Sequence, residues 1–189
     1  MRNSFHLSAQ RSVVIHSLVV TLLCIGLGGC LGIPDNVKAV RNFELERYLG
    51  TWYEIARLDH RFERGLSQVS AEYSRRDDGG VRVINSGYNP EDREWERAEG
   101  KAYFVDSPDI GRLKVSFFGP FYGAYNIVAL DEERYDYSMV ISSNMSYLWI
   151  LARQPTLDSN ILAELVARAS ELGFNTDELI YPKHGGVKN

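Results

Sequence analysis

Cysteine is nearly absent from this chain, which holds only Cys24 and Cys30. A framework of several disulfides is therefore excluded, and the fold must rely on its core. Histidine is also scarce: of four, His6 and His16 stand near the N-terminus, leaving His60 and His184. Neither lies in a spacing that would hold a metal ion, so no metal and no cofactor is expected. Basic residues are not in excess; the formal net charge is −4, which gives no footprint for nucleic acid. Long apolar runs are missing too. The longest, Val13 to Leu27, is interrupted by His16, Ser17, Thr21 and Gly26, and is too short and too broken for a spanning helix. What remains is 44% hydrophobic and 24% charged residues, with eleven Tyr and eight Phe, the mix of one globular domain with a substantial core.

The first thirty residues read as a leader rather than as part of that domain. Arg2 and Arg11 are the only charges before the apolar run, and no acid occurs there. The run ends in Leu27-Gly28-Gly29-Cys30, which resembles a bacterial lipobox. That resemblance implies cleavage before Cys30 and acylation of its thiol and new amino group, with several acyl chains giving a stable membrane anchor. Removing residues 1–29 takes away two arginines and no acid, moving the net charge from −4 to −6. It also leaves Cys30 as the sole cysteine. Residues 30–46 then read as a lipidated tether and 47–189 as the single domain.

From Thr51 onward, short extended runs alternate with turn signals. The runs are 51–58, 67–76, 81–86, 94–105, 112–118, 122–130, 135–142 and 147–153. Asp77-Asp78-Gly79-Gly80, Asn89-Pro90 and Gly119-Pro120 supply turns between them. Eight strands with short connections predict antiparallel neighbours in a sandwich or a closed barrel. Beyond Pro155 the apolar period lengthens to 3.6, with Ile161, Leu162, Leu165, Val166, Ala169 and Leu172 on one stripe. Asp158 or Ser159 is the expected N-cap and Gly173 the stop. This helix is expected outside the sheet, covering an apolar outer face.

Gly50-Thr51-Trp52 opens the first strand, Tyr135-Asp136-Tyr137 precedes the seventh, and Arg153 closes the last. With these three motifs in order the chain resembles the lipocalin family, and most closely its bacterial outer-membrane lipoproteins. The stretches 47–57, 60–66, 87–90 and 114–122 carry that closer likeness. The turn Ser142-Ser143-Asn144-Met145-Ser146 departs from it. The resemblance implies an all-β, eight-stranded, antiparallel up-and-down barrel with one C-terminal helix packed outside. It implies a lipid-anchored protein of the outer membrane that binds a small apolar ligand, a fatty acid or lysophospholipid, as monomer or homodimer. Leu31 after the cysteine, rather than Asp, places the anchor at the periplasmic face by the family's sorting habit.

Gly50, Trp52 and Arg153 are expected to be structural: the indole plugs the closed end and the guanidinium lies across it. The parity of Trp52 along its strand puts Ala56 and Leu58 on the cavity side, and Phe117, Tyr125, Met139 and Trp149 are the other candidate lining residues. Each could equally be plain core. No catalytic residue is assigned. Gly65-Leu66-Ser67-Gln68-Val69 lacks the final glycine of a nucleophile elbow, and His60, in a loop over the open mouth, reads as a surface histidine. Two alternatives remain: a structural envelope lipoprotein with a filled barrel, and an enzyme acting on a lipophilic ligand, which would need a polar cluster inside the pocket.

Overall fold

The structure, a computed structural model, describes residues 31–185. The leader and Cys30 lie outside the described residues. Eight strands form the wall: β1 (Gly50–Leu58), β2 (Ser67–Arg75), β3 (Val81–Asn89), β4 (Glu94–Phe104), β5 (Arg112–Phe118), β6 (Phe121–Leu130), β7 (Tyr137–Ile141) and β8 (Leu148–Ala152). Each pairs antiparallel with the next, and β1 pairs with both β2 and β8, so the sheet closes on itself and leaves no long edge. A two-residue β9 (Leu179–Ile180) adds to the end of β1. A 3-10 turn at Thr176–Glu178 leads into it.

The helix α2 (Ser159–Glu171) forms where the 3.6 period begins. Asp158 caps it, its carboxylate accepting from the backbone N of Asn160 at 2.9 Å and of Ile161 at 3.3 Å. Gly173, at φ +93°, ends it in a conformation that glycine adopts without strain. Leu165 and Ala169 are buried against Val128, Ile141, Leu148 and Ile150 of the outer wall. Arg168 Nη2 also donates to the Val128 carbonyl at 2.7 Å. Among the described residues no helix is long and apolar enough to cross a membrane.

The core therefore has two parts, one between α2 and the wall and one inside the barrel. The inner part is thickest at the end where β1 begins. There a short helix α1 (Leu45–Tyr48) and Phe43 lie across the opening, over Trp52. Residues expected to form a tether are part of the fold. Val37, Phe43 and Leu45 are buried, Val40 N donates to the Ile127 carbonyl, and Phe43 N to that of Asp109. Their apolar side chains gain more from packing on the wall than from trailing in water.

The three signature residues meet at this closed end. Gly50 takes φ +95°, and Trp52 is fully buried with its Nε1 donating to the Tyr48 carbonyl at 2.8 Å. The Arg153 guanidinium lies 4.0 Å over the Trp52 ring. Its nitrogens donate to the carbonyls of Tyr135 at 3.2 Å, Thr51 at 3.0 Å and Arg47 at 2.5 Å. One side chain thus joins α1, β1, the β6–β7 loop and β8.

Candidate functional site

The opposite end of the barrel is open. A cavity of about 520 Å³ lies there, continuing into a narrower space of about 100 Å³ toward Tyr48. Glu63, Val69, Asn85, Val115, Phe117 and Trp149 border both spaces, so they are halves of one pocket. Alternation along the strands supplies its apolar lining: Val69, Ala71 and Tyr73 from β2, and Leu113, Val115 and Phe117 from β5. Gly100 lies under the Phe117 ring. A Cβ there would stand 2.9 Å from Phe117, so glycine is what lets that ring lie flat on the wall.

At its deep end the pocket meets three tyrosine hydroxyls. Tyr125 Oη is 2.8 Å from both Tyr48 Oη and Tyr73 Oη, and Tyr48 Oη is 3.2 Å from Ser138 Oγ. Burial pushes the Tyr48 hydroxyl up to about 12, against the opposing bonds to Ser138 and Tyr125. Burial likewise raises Tyr73 and Tyr125. All three stay neutral, so the floor is polar but uncharged.

Of the six candidate lining residues, Phe117, Tyr125 and Trp149 border the pocket. Ala56, Leu58 and Met139 do not; they face α2 in the outer core. For Ala56 and Leu58 the cause is a bulge. β1 pairs Glu54 with Leu151 but Ala56 with Ile150, so Ile55 is an extra residue and parity inverts beyond it. Trp52 and Glu54 face inward, then Arg57 rather than Ala56, beside Trp149. Met139 pairs with Ile150 on the helix side, while its neighbour Val140 pairs with Trp149. Both faces of β7 are buried, and the polar Ser138 points inward, to Tyr48, so a simple apolar-in, polar-out alternation misassigns them.

The inversion brings charge inside. Arg57 is 1% exposed and Glu54 2%, with Arg57 Nη1 donating to Glu54 Oε1 at 2.5 Å. Arg57 Nη2 donates to the Glu63 carbonyl at 2.7 Å, fixing the β1–β2 loop. From that loop Glu63 accepts from Trp149 Nε1 at 3.1 Å, and its Oε2 stands 3.1 Å from His60 Nε2. His60 is not the expected surface residue. It is 6% exposed, with its ring 5.1 Å from Trp149 and 5.4 Å from Tyr147. The Nε2 contact is out of line for a hydrogen bond, and Nδ1 has no partner among the described residues. Burial, then repulsion by Glu63, pushes the Glu54 carboxyl well above its ordinary range, against the pull of Arg57. Burial also acts to raise Glu63, but His60, Trp149 and Glu54 together hold it below its ordinary value. Glu54 shares the proton-holding role and Glu63 the ionised one. The sequence signal was the pair Glu54 and Arg57 within an otherwise apolar strand.

One wall of the pocket is therefore ionic and the rest apolar. Such a pocket can take a long apolar group against Val69, Val115 and Phe117 while Glu63 and His60 meet polar atoms near the entrance. Among the described residues, neither ring nitrogen of His60 is hydrogen-bonded to a hydroxyl or thiol.

Residues 43–184 match the family described as Lipocalin-like domain. The chain is 54% identical over 167 residues to the outer membrane lipoprotein Blc of Vibrio cholerae, covering 88% of this chain and 98% of that one. To the outer membrane lipoprotein Blc of Escherichia coli K12 it is 54% identical over 153 residues, 81% of this chain and 86% of that one. Apolipoprotein D of Rattus norvegicus is 33% identical over 147 residues, 74% of each chain. Among solved structures, insecticyanin of the tobacco hornworm superposes with a TM-score of 0.63 at 22% identity, covering 82% of this chain and 87% of that one, a likeness of fold.

Proposed function

Because the chain belongs to the lipocalin family, we propose that its barrel binds one single-chain acyl lipid, a fatty acid or lysophospholipid, for storage or transfer in the envelope. Its bacterial relatives are named as outer-membrane lipoproteins, and the outer membrane is its location. Acylated Cys30 holds it there, with Leu31 favouring the periplasmic face. Lipocalins are in general binding and transport proteins.

The observation that carries an acyl ligand is the pocket itself. About 520 Å³ falls within the range of roughly 300–1,000 Å³ usual for small-molecule sites. A barrel filled by side chains would leave no such space. Entry is from one end only, since α1, Trp52 and Arg153 close the other. A tail therefore goes in first along Phe117 and Val115, and the headgroup stays near Glu63, His60 and the entrance. A tail of about sixteen carbons gains roughly 13 kcal/mol on leaving water. Lost translational freedom and chain ordering offset much of that, which leaves affinity in the micromolar range or tighter. Native mass spectrometry of the protein taken from its own membranes tests this. A bound mass matching one acyl lipid per chain supports the reading, and a barrel that never carries or accepts one overturns it.

A further inference from the structure

The open end carries a rim of exposed aromatic side chains on three separate connections. Phe62 in the β1–β2 loop is 59% exposed, Trp95 at the start of β4 is 53%, and Phe118 and Phe121 beside the β5–β6 turn are 73% and 69%. Phe62, Phe118 and Phe121 also border the pocket entrance. Rings of this size gain most from burial, and several around one opening mark a surface that meets something apolar. Arg61 lies over the Phe62 ring, its Cζ 5.5 Å from the centroid. An aromatic with an adjacent cation suits the boundary between headgroups and acyl chains.

The described chain begins on the same side of the barrel as the β5–β6 hairpin. Arg112 Nη2 holds the Leu31 carbonyl at 3.3 Å, and Asn126 Nδ2 holds that of Gly32 at 3.2 Å. Asn126 Nδ2 also donates to the Ser142 carbonyl at 3.3 Å, and Ser142 borders the pocket entrance. Leu31 thus lies on the flank of β5 and β6, the two strands that end in the aromatic hairpin, and below the lip of the mouth. Along β6, Phe121 is five residues above Asn126, roughly 17 Å of strand and about 13 Å along the axis of a tilted barrel. A lean toward β6 brings Leu31 nearer to the plane of the hairpin tip.

We propose that the lipidated barrel rests on the bilayer mouth first, leaning on the β5–β6 hairpin, with Phe118, Phe121 and Phe62 in the lipid interface beside the acyl chains of Cys30. This orientation rests on the acylation of Cys30 given above. It opens the pocket onto the membrane, so that an acyl ligand passes between bilayer and barrel without crossing bulk water.

The test uses the full lipidated protein in vesicles of phosphatidylethanolamine and phosphatidylglycerol. With Cys30 blocked by its lipid, Phe121→Cys or Phe62→Cys takes an environment-sensitive fluorophore at one site. Asp77→Cys, in the β2–β3 turn at the closed end, is the control. Labels at 121 and 62 should shift to the blue and lose most of their emission when brominated lipids replace the ordinary ones, while the label at 77 should do neither. The use of two rim sites covers a variant that fails to fold. Protein that floats with the vesicles but leaves both rim labels unquenched overturns the orientation alone. Protein that does not float overturns the anchor and the orientation with it. Rim labels that are shielded from water, not quenched by lipid, and cross-linked to each other identify a second copy as the occupant, which also refutes the proposal.

Discussion

Replacing Arg153 with alanine removes the one side chain that ties four elements together at the closed end. Two contributions are lost. The guanidinium at 4.0 Å from the buried Trp52 ring contributes about 1–2 kcal/mol as a cation–π contact. Its three bonds to the carbonyls of Tyr135, Thr51 and Arg47 are charge-assisted, but the last two face solvent and regain water. Those bonds together add about 1–2 kcal/mol net. Arg153→Ala should therefore destabilise by about 2–4 kcal/mol, lowering Tm by roughly 4–16 °C for a domain of this size. Urea unfolding followed by tryptophan fluorescence and by circular dichroism gives the value. Arg153→Lys keeps the charge but cannot reach all three carbonyls, and it should recover less than half of the loss. Ligand affinity of the folded fraction should hardly change, because no Arg153 atom borders the pocket. A loss below about 0.5 kcal/mol, within the range of an ordinary surface substitution, would refute the structural role given to Arg153.

Cys30→Ala should abolish incorporation of a fatty-acid probe and leave the leader attached, as read by labelling and by mass; persistent labelling would move the anchor elsewhere. Trp149→Ala should weaken acyl-ligand binding by tenfold or more, about 1.4 kcal/mol, since it removes a ring bordering both parts of the pocket and the donor to Glu63; calorimetry reads the change. Glu54→Gln tests the buried cluster through pH. Native Glu54 keeps its proton well above 4.5 while the unfolded chain releases it there, so wild-type stability should fall as pH rises from about 4.5, by up to about 1.4 kcal/mol per pH unit. Glu63, held below its ordinary value, opposes this only until the unfolded chain has ionised it, so the decline is read above about pH 5.5. The Glu54→Gln variant should lack that decline in urea midpoints, and a variant that parallels the wild type would contradict the protonated form of Glu54.

The barrel was legible because its determinants are local. Alternation in Leu113, Val115 and Phe117, turn residues at Asp78–Gly80, and the change of period after Pro155 each act over a few residues. The capped helix followed from Asp158 and Gly173 in the same way. The inside of the barrel was harder to read, because its content depends on register. One bulge at Ile55 exchanges Ala56 for Arg57 on the inner face, and no residue type near it announces the extra position. The buried character of His60 was hidden for a related reason. Its loop folds back over the entrance only because Arg57 holds the Glu63 carbonyl, a contact that exists once the parity has inverted. Residues 31–46 looked like a tether since their apolar positions are few and irregular, yet Val37, Phe43 and Leu45 each find a cleft on the finished wall.

The central claim is that the pocket holds one acyl chain, and calorimetric titration of the protein lacking residues 1–30 with fatty acids of increasing length tests it most directly. Driven by apolar burial, binding should be one to one and micromolar or tighter for long chains. Affinity should rise with each added methylene until the pocket is full, then level off, with little dependence on salt. No binding below about 100 μM at any chain length, or affinity indifferent to length, would contradict it.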